Sequence, residues 1–114
     1  MASTSKVLAA KQAVPNAAAT LIYTSPVSGK GTYVDACDFV CYGTGTHNVT
    51  TWIVPVGGSV ANVNKHSSAK SVSTSATVSL TELAGRYLAA GSAIYMQASV
   101  LDEISVYMTG RELT

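Results

Sequence analysis

The sequence predicts an all-β fold: a single β-sandwich of about six to eight strands, jelly-roll-like or immunoglobulin-like. Three observations predict it. Short apolar runs rich in β-branched and aromatic residues recur, as at Thr20–Thr24, Thr32–Tyr42, His47–Val56 and Ile104–Thr109. Clusters of Gly, Pro, Ser and Asn separate these runs. The 114 residues are expected to bury one core and form one domain.

Residues 1–16 read as an N-terminal arm, ahead of a β-sandwich domain over residues 17–114. Lys6–Val14 contains the helix-favouring Ala, Leu, Lys and Gln. Propensity leaves a short helix and an extended segment both open, with the extended arm preferred, and Pro15-Asn16 ends it. A polar, Ser-rich terminus of this kind orders by lying against a partner or pairing with a sheet. Thr20–Thr24 is a compact strand, stopped by Ser25-Pro26, and Ser28-Gly-Lys-Gly31 makes a loop. Thr32–Tyr42 and His47–Val56, joined by Gly43-Thr-Gly45-Thr46, read as a β-hairpin.

Side chains alternate along a strand. Cys37, Phe39 and Cys41 therefore share one face, and Val34, Ala36 and Val40 the other. In the second run Val49, Thr51 and Ile53 oppose Trp52, Val54 and Val56. With apolar residues on both faces, this pair reads as the centre of a sandwich. Gly57-Gly58 breaks the sheet, and Ser59–Ser68 reads as a loop. Ser71–Leu80 alternates, with Val72, Thr74, Ala76, Val78 and Leu80 on one face and hydroxyls on the other, so a half-exposed strand is expected. Thr81–Gly85 resembles one helical turn with a Thr cap and a Gly stop. Ser92–Leu101 and Ile104–Thr109 read as strands joined by a tight turn at Asp102-Glu103. In the last of these Ile104, Val106 and Met108 should face the core, and Ser105, Tyr107 and Thr109 outward.

Charged residues make up only 11%, against about a quarter in typical soluble domains. Ser, Thr, Asn and Gly, or a partner, must then cover the surface. The net charge of +1 and the absence of a basic run give no footprint for nucleic acid; Lys65–Lys70, with His66, reads as a solvated loop. No apolar stretch approaches the ~18 residues that span a bilayer, and the N-terminus has no secretion-signal core, so no membrane partner and synthesis in a cytosol are expected.

Chemistry-bearing residues do not assemble into a site. Cys37 and Cys41, about 13 Å apart along one strand, cannot bridge each other. With His47 and His66 they miss zinc-finger spacing, so they read as buried thiols. His47 lies beside a turn, with no G-x-S-x-G elbow in the chain. Asp35 and Asp38 fall on opposite faces of a regular strand, which prevents an acid–base pair. Ser28-Gly-Lys-Gly-Thr32 lacks the spacing of a phosphate loop. No catalytic, cofactor or metal residue is expected, and the chain does not read as an enzyme. Of the six tyrosines, Tyr107 is the first candidate for a subunit interface, because an apolar ring with a polar tip suits one.

Five stretches together resemble the small virion structural proteins of tailed bacteriophages. They are Thr20-Leu-Ile-Tyr-Thr-Ser-Pro-Val-Ser-Gly29, Val34-Asp-Ala-Cys-Asp-Phe-Val-Cys41, Val54-Pro-Val-Gly-Gly58, Leu88-Ala-Ala-Gly91-Ser-Ala-Ile94 and Val106-Tyr-Met-Thr-Gly110-Arg-Glu112. The likeness spans about Thr20 to Glu112 and lies mostly in turns and strand ends. The chain departs from the pattern at Tyr42, where Asn is common, and at Ser92, where Asp is common. The resemblance implies a capsid decoration (cement) protein that binds the capsid exterior and clamps neighbouring subunits. It implies the major capsid protein as partner, assembly as a homo-oligomer, and a place on the virion's capsid surface. The expected contact residues are Lys6, Val7, Leu8, Lys11 and Val14 of the arm, with Tyr107. Two alternatives stand beside it: a tail, neck or collar component, and a carbohydrate-binding attachment module using Trp52 or exposed tyrosines.

Overall fold

The computed structural model describes residues 2–100 and 103–114. Its strands are β1 (Ser3–Ala13), β2 (Thr20–Thr24), β3 (Thr32–Cys41), β4 (His47–Val54), β5 (Lys65–Val72), β6 (Thr77–Ser79), β7 (Tyr87–Leu88), β8 (Ala93–Ala98) and β9 (Ile104–Leu113). A 3-10 turn, Asn62–Asn64, packs against β4. One sheet has the order β1-β9-β3-β6, with β7 also paired to β3; the other has the order β2-β8-β4-β5. Every pairing is antiparallel.

The expected all-β sandwich is therefore the fold, and the strand order selects the jelly roll. An immunoglobulin sandwich keeps chain neighbours such as A and B, or F and G, side by side. Among the described residues β4 and β5 are the one consecutive pair that lies side by side, and the other strands interleave as in a jelly roll. Each hydrogen-bonded pair joins one of β1–β4 to one of β5–β9.

The core lies between the sheets. Val34, Cys37, Phe39 and Cys41 of β3 and Ile104, Val106 and Met108 of β9 meet Ile22, Val49, Ile94, Met96 and Ala98 from the other sheet. Leu80 and Leu83, between β6 and β7, and Leu88 of β7 complete it. Alternation explains these faces. Val49, Thr51 and Ile53 stand opposite Ala98, Met96 and Ile94 on the core side. Trp52 and Val54 stand opposite Tyr95 and Ala93 on the outer side.

Several expectations change. The Thr32–Val56 stretch is not a hairpin: β3 and β4 lie in different sheets, so residues 42–46 cross the sandwich. Both strands are apolar on the face they share with the core, and burial against the opposite sheet outweighs local pairing. Likewise β8 and β9 belong to different sheets. Asp102 of the turn expected between them lies outside the described residues. Lys65–Val72, expected as mostly loop, is strand β5. The ten-residue alternation Ser71–Leu80 splits where the chain changes sheets, at a turn with Ser75 at φ +59°. Thr81–Gly85 is a turn without helix, although Gly85 does take the positive φ (+80°) expected of a stop.

The segment expected as an arm is built into the sandwich. β1 pairs with β9 from Ser3↔Leu113 to Ala13↔Ser105. Leu8, Ala9 and Val14 belong to the core cluster. A bulge in β3, between Val34 and Ala36 in the register with β9, turns both Asp35 and Ala36 outward. Asp35 and Asp38 thus share the outer face, contrary to the regular-strand expectation. They still do not pair: Arg111 Nε donates to Asp35 at 3.1 Å, and Ser79 Oγ donates to Asp38 at 2.8 Å.

Candidate interaction surface

One end of the sandwich gathers residues that are far apart in the chain. The loop after β2, the turn after β4 and the turn before β8 meet there. The Ser25 N–H donates to Ser92 O at 2.8 Å, and the Gly91 N–H donates to Ser25 O at 2.9 Å. Gly91 sits at φ +83°, and a Cβ at this position would press into Val56 Cγ2 (2.9 Å) and Val27 Cγ1 (3.2 Å). The glycine thus lets two valines close over it. Both project into solvent, Val27 at 77% and Val56 at 66% exposure. The end of β9 joins this region, since the Lys30 N–H donates to Leu113 O at 3.0 Å. A Cβ on Gly29 would strike that same carbonyl at 2.9 Å.

Beneath this end a chain of polar side chains ties the two sheets together. Tyr23 Oη donates to Glu112 Oε2 at 2.5 Å and lies 2.9 Å from Thr32 Oγ1, which lies 2.8 Å from Ser25 Oγ. Because the Tyr23 proton goes to the carboxylate, Thr32 donates to Tyr23 and Ser25 donates to Thr32. Lys6 Nζ reaches the other Glu112 oxygen at 3.3 Å. Donation therefore runs in one direction and ends on one carboxylate, linking β1, β2, β3 and β9. Ser25 and Thr32 are fully buried. Burial pushes the Tyr23 hydroxyl up to about 12, helped by the Glu112 hydrogen bond and opposed by Thr32.

The outer face of the β1-containing sheet carries a second group. Arg111 lies over the Tyr33 ring at 5.3 Å, and Tyr33 and Tyr87 pack at 5.3 Å between centroids, tilted by 56°. Tyr87 Oη donates to Lys30 O at 2.8 Å. Tyr and Arg are the side-chain types that anchor protein interfaces.

The contact residues expected from sequence separate into two sets. Lys6, Val7 and Lys11 are exposed, and Tyr107 is partly so on the outer face of β9. Leu8 and Val14 are core residues, at 8% and 0% exposure, so a folded chain cannot offer them to a partner. Residues 6, 7 and 11 reach solvent because β1 is an edge strand, whereas Leu8 and Val14 point between the sheets. Trp52 is 7% exposed and offers no open ring face for a sugar. Val27, Val56 and Gly91 carry no chemistry that marks them in sequence, and their meeting depends on a fold that brings three loops together.

The chemistry-bearing residues remain apart. Cys37 and Cys41 are free and buried. Burial raises the Cys37 thiol to about 12, with the Asp38 charge adding to the shift. His47 Nε2 lies 2.6 Å from Thr44 O and 3.5 Å from Glu103 Oε1, in a turn that Glu103 also holds by accepting from Thr44 N–H at 2.6 Å. His66 Nε2 lies 2.5 Å from Glu82 O. Among the described residues no three or more of His, Cys, Asp and Glu gather as metal ligands. The Thr51 hydroxyl is buried without a hydrogen-bond partner among them. No family model, no curated protein and no solved structure matches this chain.

Proposed function

We infer that this chain is a non-enzymatic virion structural protein of a tailed bacteriophage, a capsid decoration protein that seats its Val27–Val56 end on the capsid exterior. The observation that carries the reading is a convergence. Four of the stretches on which the resemblance rests, Thr20–Gly29, Val54–Gly58, Leu88–Ile94 and Val106–Glu112, meet at one end of the sandwich. Their glycines and polar residues build a single surface with two exposed valines at its tip. The jelly-roll order adds an analogy at the level of fold, since viral capsid and lectin domains use it too, and fold alone assigns no function.

The physics of such a role is additive. A small apolar tip gives a weak contact, and many copies on a symmetric shell sum to a strong one. The low charge leaves little long-range repulsion between neighbouring copies.

Replacing both Val27 and Val56 by Asp places two charges in the proposed contact without touching the core. Binding to capsids stripped of this protein, followed by co-sedimentation, should fall at least about tenfold, a loss of roughly 1.4 kcal/mol or more per site. The thermal melt should be unchanged. Undiminished binding by the folded variant would refute the seat on the capsid. A count of a few copies per particle would move the protein to the tail or neck instead.

A further inference from the structure

We propose that two copies of this chain associate through the Ser3–Val7 segments of β1, antiparallel about a two-fold axis at Ser5, so that their β1-containing sheets become one. The inference is independent of the capsid reading, because it concerns the isolated protein.

The register fixes which backbone groups are free. Ser3 pairs with Leu113, so Ala2 stands opposite Thr114, and the Thr114 N–H donates to Ala2 O at 3.0 Å. In an antiparallel ladder alternate residues turn their amide groups to the same neighbour. Thr4 and Lys6 therefore share the direction of Ala2, towards β9, while Ser3, Ser5 and Val7 turn theirs away. The far side of β9 agrees. Leu113, opposite Ser3, accepts from the Lys30 N–H and donates to Gly31 O at 2.9 Å, both on its β3 side. The N–H and C=O groups of Ser3, Ser5 and Val7 thus line an edge to which nothing pairs among the described residues.

The other edges are blunted in the ways that prevent strand addition. β6 has 3 residues and β7 has 2. β2 is interrupted by a register shift between Leu21 and Tyr23. β5 carries two register shifts and Ala69 at φ +55°. The second half of β1 is itself bulged, with Lys11 at φ +49°. Ser3–Val7 alone keeps regular register on an open edge, holds no proline, and has every side chain exposed.

A second copy fits this edge because the segment is self-complementary. With the axis at Ser5, Ser5 meets Ser5 and Ser3 meets Val7 of the second copy, so every free group of these three residues finds a partner. Lys6 then lies opposite Thr4 of the second copy. Within that copy Thr4 pairs with Glu112, so each ammonium enters a row that ends on a carboxylate. The two lysines sit diagonally, and no like charges oppose each other directly.

Sedimentation equilibrium of the full chain over a rising concentration series should show the mass climbing from 11.7 kDa towards twice that value. Ser5→Pro removes a central edge donor and no bond to β9, and proline is tolerated on an edge whose N–H faces solvent. It should melt as the wild type does at concentrations where both are monomeric, and stay monomeric as concentration rises. A register test stands apart from that variant. Thr4 and Lys6 of the two copies form a non-hydrogen-bonded pair, with Cα atoms about 4.5 Å apart, within reach of a disulfide. Under oxidation a mixture of Thr4→Cys and Lys6→Cys chains should give a linked dimer that neither gives alone. A monomer at every concentration, a Ser5→Pro chain that still dimerises, or no excess linkage in the mixture would overturn the proposal.

Discussion

Tyr23 reaches from β2 to partners on β3 and β9, and that reach makes stability sensitive to high pH. Its hydroxyl is shifted upward, from 10.0 to about 12, so the folded chain holds this proton more tightly than the unfolded one. The stabilisation is complete below pH 10 and is lost as pH rises through 10 towards 12. Cys37 acts in the same direction from a lower start, its thiol moving from 9.0 to about 12. Tyr23→Phe removes the bond to the Glu112 carboxylate and should cost about 1.5–3 kcal/mol at neutral pH. In urea titrations repeated across pH, the gap between wild type and variant should narrow above pH 10; a gap that stays constant to pH 12 would discard this account. The partners of this hydroxyl were not legible in the sequence. Tyr23 and Glu112 are 89 positions apart, and no spacing rule joins a tyrosine to a distant glutamate. The burial of Cys37, Phe39 and Cys41 was legible, because strand alternation needs only local order.

β1 is the element whose role changes most. As a free arm its removal would spare the sandwich. As found, it supplies Leu8 and Ala9 to the core, with Val14 directly after it, and pairs with β9 from Leu113 to Ser105. Deleting residues 1–14 uncovers that apolar surface and strips β9 of one neighbour. The cost should be several kcal/mol, comparable with the whole stability of about 5–15 kcal/mol of a small domain. Circular dichroism of the truncated chain should show a melt lowered by tens of degrees, or none; an unaltered melt would restore the arm. Propensity left this segment between helix and extended chain, because Ala, Lys and Gln fit a helix locally. The β9 edge decides it through tertiary pairing. The strands β2, β3, β4 and β9 were legible close to their observed positions. The partners of β3 and β4 were not, because a glycine turn between apolar runs looks alike whether the chain turns back in one sheet or crosses to the other.

At the scale of the molecule the interleaved strand order sets how the chain becomes a protein. Each native strand pair joins β1–β4 to β5–β9, with Gly57-Gly58 between the two groups. The leading half, when it stands alone, holds four strands that have no native partner among themselves. The trailing half is in the same position. Apart from β4 with β5, pairing waits for distant contacts, which places folding in the slow, millisecond-to-second range of non-local β topologies. Peptides 1–57 and 58–114 should each give a disordered spectrum and recover the strand spectrum and cooperative melt only when mixed; ordered structure in either peptide alone would contradict this. The Gly57-Gly58 junction is thus a natural place to cut the chain into two silent pieces. Fused to two other proteins, these pieces would act as a reconstitution sensor, producing a jelly roll only when their carriers meet.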